Sequence, residues 1–205
     1  MGIIIEKILR FLIKIWKIGR VNFYEIARHR VISYSMKILE TERLILREVD
    51  KDDDAFMLDL LNQPSFIKYI GDRNVRNLEQ SRDFIENRYR ASYRDNGFGL
   101  YAVELKENQT PIGICGFVRR DTWPDADIGF AFLPQFERKG YAFESAAAIM
   151  DYGRKVLGLK RVLAITSVDN ESSGKLLSKL GFKFDGIVTL GNDTEEIKLF
   201  SSGSD

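Results

Sequence analysis

Only one cysteine, Cys115, and one histidine, His29, occur in 205 residues. A lone cysteine excludes an internal disulfide framework and fits a reducing, cytoplasmic compartment. His29 has no companion His, Cys or clustered carboxylates at ligand spacing, so no metal site is expected. Cys115 sits in the apolar run Ile112 to Phe117 and reads as a buried, inert thiol rather than a nucleophile. No apolar stretch reaches the roughly 20 residues that a membrane helix needs. Internal repeats and low-complexity tracts are lacking. So are the G-x-G-x-x-G fingerprint of dinucleotide folds and the G-x-x-x-x-G-K-[ST] loop of nucleotide hydrolases.

What is present suits a folded domain. Hydrophobic residues make up 44% of the chain, ample for one core, and the length allows one domain or one domain with an extension. The formal net charge of +1 hides an asymmetry. Residues 1–35 carry Lys7, Arg10, Lys14, Lys17, Arg20, Arg28 and Arg30 against Glu6 and Glu25, a net of +5, which leaves −4 on residues 36–205. A mildly acidic body argues against nucleic acid as its ligand, because phosphate backbones are gripped by clustered positive charge.

Residues 1–35 read as a basic extension. Lys7, Arg10, Lys14 and Lys17 share one helical face, and Ile5, Leu9, Leu12 and Trp16 another. Three readings stand: an over-long start or poorly ordered extension ahead of a domain beginning at Met36, peripheral membrane contact through residues 1–20, or docking on a partner or the body. Glu6 breaks the myristoylation pattern, and charges interrupt the apolar run that a signal peptide would need.

The body alternates helical and strand periods. Leu44 to Val49 is an expected strand, and Asp52 to about Asn62 a helix with acids at its positive end. A second helix is expected from Leu78 to Arg94, stopped by Asn96-Gly97. Strands follow at Leu100 to Leu105, Ile112 to Arg119 and Asp127 to Leu133, with turns at Lys106 to Thr110 and Asp121 to Asp125. After a helix from Phe143 to Val156 come the strand Val162 to Val168, a short helix opening at Asn170, and a hairpin, Lys183 to Leu190 with Glu195 to Phe200, around Gly191-Asn192. The fold class is α/β (α+β), a mixed sheet with helices on its faces.

One loop is chemically suggestive. Residues 135–142, Gln-Phe-Glu-Arg-Lys-Gly-Tyr-Ala, join a strand to a helix, so unpaired N–H groups and the helix dipole converge on one spot suited to a pyrophosphate. Arg138 and Lys139 add positive charge, and Gly140 lets the backbone approach a phosphate closely. Downstream, Asn170-Glu171-Ser172-Ser173 starts a helix that Leu180-Gly181-Phe182 ends.

This order of strand, Arg-Lys-Gly-Tyr-Ala loop, helix, strand, Asn-x-x-Ser helix and Leu-Gly-Phe strand resembles the GNAT superfamily of acyl-CoA-dependent N-acetyltransferases. The stretch Leu39-Glu40-Thr41-Glu42-Arg43-Leu44-Ile45-Leu46-Arg47 is similar to the opening of its RimJ and RimL branch, which acetylates ribosomal-protein N-termini. The resemblance covers roughly residues 36–200 and implies a GNAT fold whose central sheet is mostly antiparallel, an acetyl-CoA co-substrate and an amine acceptor. It implies that Arg138, Lys139, Gly140, Tyr141, Ala142 and Phe143 hold the pyrophosphate, and that the backbone of Phe130 and Phe132 pairs with the pantetheine arm like an added strand. Their neighbours' N–H groups would polarise the thioester carbonyl. Glu137 departs from the family's Gln or Arg at that loop position. Asn170 would hold the cofactor arm, or simply cap its helix. Where many members carry a Tyr as the acid for the CoA thiolate, this chain has Leu177, so Ser173 or a water must serve. Asp127 falls on the branch's acidic position and would take the amine proton directly or through water, with Glu104 a weaker candidate.

The acceptor implied by that branch is a protein N-terminus, with a polyamine, amino sugar, antibiotic or amino acid open on the same scaffold. An α-amine with pKa near 8 is roughly a tenth neutral at pH 7, whereas a lysine amine near 10.4 is less than about a thousandth neutral. A weak base therefore suffices for the former. Phe66, Tyr69, Tyr89, Tyr93 and Trp123 either line the acceptor cleft or pack in the core. A monomer and a homodimer are both compatible with the sequence, as is an inactive acyl-CoA sensor.

Overall fold

The computed structural model describes residues 35–189 and 195–203. The expectations for residues 1–34, including the amphipathic helix, and for the Gly191-Asn192 turn lie outside these residues.

Eight strands form the sheet: β1 (Lys37–Glu40), β2 (Leu44–Arg47), β3 (Leu100–Leu105), β4 (Pro111–Val118), β5 (Asp127–Phe132), β6 (Val162–Ser167), β7 (Lys183–Thr189) and β8 (Glu196–Ser202). Their spatial order is β1-β2-β3-β4-β5-β6-β8-β7. Every neighbouring pair is antiparallel except β5 and β6, which run parallel. The helices are α1 (Asp54–Leu61), α2 (Pro64–Ile70), α3 (Leu78–Phe84), α4 (Ala91–Asn96), α5 (Tyr141–Lys155) and α6 (Glu171–Lys179).

Three elements escape sequence periodicity, the first being β1, whose four residues are too few to display an alternation. The helix α2 has too few turns to display a period, although Pro64 in its first turn is a usual start. The helix expected from Leu78 to Arg94 is interrupted: a π-helical stretch, Ile85–Arg90, links α3 to α4 and rotates the apolar face part-way along. Gly97, at φ +74°, ends α4.

Strand alternation builds two apolar layers. Leu44, Leu46, Val103, Phe117, Ile128 and Ile149 belong to one, which includes α5. Val49, Met57, Leu60, Ile85, Tyr89 and Ile114 belong to the other, which α1 and the π-helical stretch enter. Gly153 lets α5 sit close, because a Cβ there would lie 2.5 Å from Phe117 Cζ.

Candidate functional site

The sheet is interrupted at its centre. β4 and β5 stay in register over six residue pairs, and β6 and β8 over six, yet β5 and β6 register only at Asp127 with Leu163. There Leu163 N–H donates to the Ala126 carbonyl at 2.9 Å. Beyond that apex the two parallel strands diverge into a wedge. Gly129, Phe130 and Ala131 are only half-buried although their strand is central.

The direction of the freed backbone groups follows from the ladder. Leu133 N–H donates to the Ile112 carbonyl at 2.9 Å, so Leu133, Ala131 and Gly129 point their N–H and C=O groups at β4. By alternation, Phe130 and Phe132 point theirs into the wedge. The N–H groups of Gly129 and Ala131, the neighbours expected to polarise a thioester, are taken up by the β4 ladder. The group facing the opening is the Phe130 N–H itself. The side chains of Phe130 and Phe132 join the apolar layer that contains α5.

At the open end of β5 a short turn, Pro134–Phe136, leads to the basic loop. Arg138 has φ +58° and Gly140 φ +85°, and left-handed residues alternating with an ordinary one curl successive N–H groups toward a common centre. Gly140 is the N-cap of α5 and no side chain caps the helix. The first intrahelical bond runs from Glu144 N–H to the Gly140 carbonyl, which leaves the N–H groups of Tyr141, Ala142 and Phe143 without helical partners. Arg138, Lys139 and Gly140 are exposed, and Tyr141, Ala142 and Phe143 half-buried. Three contacts to this segment escape sequence reasoning. Arg43 Nη1 donates to the Lys139 carbonyl at 3.1 Å, Arg43 Nε donates to Glu144 Oε2 at 2.7 Å, and the guanidinium lies 4.6 Å from the Tyr141 ring centre. Their available signal is the Thr41-Glu42-Arg43-Leu44 stretch, family-like but without an assigned role, together with an acid in the first turn of a helix expected to receive an anion.

On the other side of the wedge, α6 begins after β6. Asn170 Oδ1 accepts from Ser173 N–H at 3.1 Å, so Asn170 acts as the N-cap while its amide nitrogen stays available. Ser173 is half-buried. Lys179 Nζ lies 4.4 Å from the Phe143 ring centre and ties the end of α6 to the first turn of α5. Leu177 is 1% exposed, part of the core, and offers no hydroxyl.

Asp127 lies at the apex and shares its face of the sheet with Gly129 and Ala131, the face toward α1 and the π-helical stretch. It is 5% exposed. Arg120 Nε donates to its Oδ1 at 2.8 Å and Nη2 to its Oδ2 at 3.2 Å. Burial raises the carboxyl above the usual Asp range, and the Arg120 bonds oppose that shift. At about 3.3 Å per residue, Phe130 lies roughly 10 Å along the strand, so a proton moving to Asp127 needs a bridging water. Glu104 is committed elsewhere: Arg47 Nε donates to its Oε1 at 2.8 Å while the same guanidinium grips Asp53 through two 2.7 Å bonds.

The aromatics expected either at the acceptor cleft or in the core divide. Phe66 and Tyr89 are buried in the core. Tyr93 Oη donates to the Leu100 carbonyl and accepts from Val49 N–H at 3.0 Å, a structural role. Tyr69 and Trp123 stay half-exposed. The region is also basic. Arg73, though exposed, is made less basic by partial desolvation of its guanidinium and by the charges of Arg88 and Arg120 nearby, and it donates to the Ile70 carbonyl at 3.1 Å. Lys68 bridges from α2 to Asp169, just before Asn170, at 2.7 Å.

A shallow groove on the outer side of α6, lined by Glu171, Lys175, Phe184 and Phe200 among others, contains none of the expected site residues. Among the described residues no three His, Cys, Asp or Glu gather as metal ligands, and no helix is long and apolar enough to cross a membrane.

Comparison with known proteins agrees with this arrangement. The profile of the Acetyltransferase (GNAT) domain matches residues 43–183. An uncharacterised N-acetyltransferase, YoaA of Bacillus subtilis, is 32% identical over 152 residues, spanning 74% of this chain and 85% of that protein. The [ribosomal protein uS5]-alanine N-acetyltransferase of Escherichia coli is 31% identical over 91 residues, 43% of this chain and 45% of that one. The crystal structure of RimL, a ribosomal L7/L12 α-N-protein acetyltransferase in complex with coenzyme A, superposes with a TM-score of 0.70 at 18% identity, covering 82% of this chain and 97% of that one. At that identity the likeness concerns the fold alone.

Proposed function

Because the chain belongs to the acetyltransferase (GNAT) family and is an N-acetyltransferase, we propose that it moves the acetyl group of acetyl-CoA onto a protein N-terminal α-amine by direct attack in a ternary complex. The observation that carries this reading is the wedge between β5 and β6, which ends at the uncapped N-terminus of α5. One extended arm with a diphosphate at its end satisfies both sets of backbone groups.

In this reading the N–H groups from Gly140 to Phe143 receive the diphosphate, with Arg138 and Lys139 adding charge from outside. Phe130 and Phe132 exchange backbone hydrogen bonds with the pantetheine amides, as an added strand would. The Phe130 N–H polarises the thioester carbonyl, and Asn170 steadies the arm from the facing side. The neutral amine attacks the carbonyl carbon, and its proton passes through water to Asp127. As the tetrahedral intermediate collapses, Ser173 Oγ donates a proton to the departing thiolate.

Two observations favour a peptide over a polyamine. Arg73 feels the positive charge of both Arg88 and Arg120, and although Asp127 offsets Arg120, the surplus on this rim disfavours a polycation. A carboxylate reached through water is a weak base, adequate for an α-amine but poor for a lysine-like amine. Polyamines, amino sugars, antibiotics and free amino acids remain the comparison set. A screen of N-terminal peptides and these amines with acetyl-CoA, read by mass and by release of CoA thiol, tests the reading. Acetylation of peptide α-amines supports it. Acetylation of small amines alone refutes the acceptor, and tight acetyl-CoA binding with no turnover on any amine points to a sensor.

A further inference from the structure

The diphosphate loop is built from unfavourable parts. Arg138, a non-glycine residue, holds a positive φ, and the helix it leads into has no side-chain cap. Something outside the loop must fix its shape.

The turn between β1 and β2 supplies that contact. Glu144 Oε1 accepts from Thr41 Oγ1 at 2.5 Å and from Arg43 N–H at 2.9 Å. Its Oε2 receives Arg43 Nε and lies 2.7 Å from Arg43 Nη2. Arg43 Nη1 takes the Lys139 carbonyl at 3.1 Å. The turn is itself anchored: Leu44 N–H donates to Thr41 Oγ1 at 3.1 Å, Thr41 N–H donates to the Leu44 carbonyl at 2.9 Å, and β2 is paired to β3.

Two consequences follow from elementary chemistry. In a trans peptide the C=O and the next N–H point in opposite directions. Arg43, by holding the Lys139 carbonyl, therefore turns the Gly140 N–H away from itself, toward the space where the diphosphate would lie. Second, a carboxylate in the first turn of a helix that must receive an anion would repel it unless neutralised. Glu144 is neutralised by Arg43 and faces the turn. The same bonds hold its carboxyl below the ordinary Glu range against the opposing effect of burial.

We infer that Thr41, Arg43 and Glu144 form a strut that sets the diphosphate loop, making Arg43 and Glu144 positioning residues for acetyl-CoA. This rests on the cofactor reading proposed above. The strut never touches the thioester, so its effect falls on the diphosphate alone.

The test compares acetyl-CoA with S-acetylpantetheine, which carries the same thioester and arm without the diphosphate. Steady-state rates are measured for the full chain and for Arg43→Ala, Arg43→Lys and Glu144→Gln, using an acceptor from the screen. Arg43→Ala is expected to raise KM for acetyl-CoA about tenfold or more with kcat within about twofold, since charge-assisted bonds are lost. Its kcat/KM for S-acetylpantetheine should be unchanged. Should Arg43→Ala fold poorly, Arg43→Lys keeps the charge but lacks the planar fork, and the same selectivity should appear in smaller measure. Equal losses on both donors, or no loss on either, would overturn the inference. A wild-type protein that uses acetyl-CoA no better than S-acetylpantetheine would sink the cofactor reading itself, a different and separable failure.

Discussion

Replacing Asp127 with Asn probes the chemistry with little change of shape. The new amide could still accept one hydrogen bond from Arg120 but would leave that guanidinium without its counter-charge. Asp127 is 5% exposed and Arg120 about one-third exposed, so the loss falls in the range of a charge-assisted bond, about 1.5–3 kcal/mol of stability. The catalytic loss is separate. General bases contribute typically about 10²–10⁴-fold, and the water implied by the roughly 10 Å separation places this one near the lower end. We expect kcat to fall roughly 100-fold, about 2.7 kcal/mol of barrier, with KM for acetyl-CoA unchanged because Asp127 lies at the wedge apex away from the loop. The pH profile adds a signature. The wild-type rate needs a neutral amine and an ionised Asp127, so it falls with slope one below the amine pKa and steepens to two below the raised Asp127 pKa. In Asp127→Asn the steeper limb disappears. Rates are compared at a temperature where calorimetric melting shows both proteins folded. A kcat within about threefold of wild type, with the steep limb intact, would refute Asp127 as the base.

Asn170 caps α6 by bonding the Ser173 N–H, not its hydroxyl, so Ser173→Ala should change stability by less than about 0.5 kcal/mol. The same substitution should lower kcat about tenfold or more, and an unchanged kcat would assign the thiolate's proton to water. Gly140→Ala puts a side chain at φ +85° with its Cβ 3.3 Å from Arg43 Nη2, and should cost about 1 kcal/mol of stability and weaken acetyl-CoA binding, checked by melting and calorimetry. Cys115 is fully buried and its thiol is pushed up to about 12 by burial, so a thiol reagent should label none of the native protein at pH 8 and one site per chain after denaturation.

Much of the fold is legible because strand alternation and the Gly140 and Gly181 punctuation are local signals. Asp127 to Leu133 and Val162 to Val168 read as strands from their own residues. That they pair at one point and then part is a tertiary fact, invisible to any window of sequence. The same division holds at the site. Gly140 and Asn170 declare themselves through a turn and a cap, whereas Ser173 is singled out only by the family resemblance. Arg43 and Glu144 meet although they stand 101 positions apart, and neither residue type is unusual where it stands. Glu104 is a reasonable base on its strand, and only the packing of Arg47 against Asp53 reveals that it is occupied. The π-helical stretch likewise reflects the demands of the surface it packs on rather than the propensity of Ile85 to Arg90.

The central claim is that backbone amides at the start of α5 receive the diphosphate of coenzyme A. Amide-resolved NMR during titration with coenzyme A and with pantetheine tests it most directly. The N–H signals of Gly140 to Phe143 should move with coenzyme A and stay in place with pantetheine, while Phe130 and Phe132 respond to both. Binding of coenzyme A that leaves the Gly140 to Phe143 amides unmoved would contradict the account.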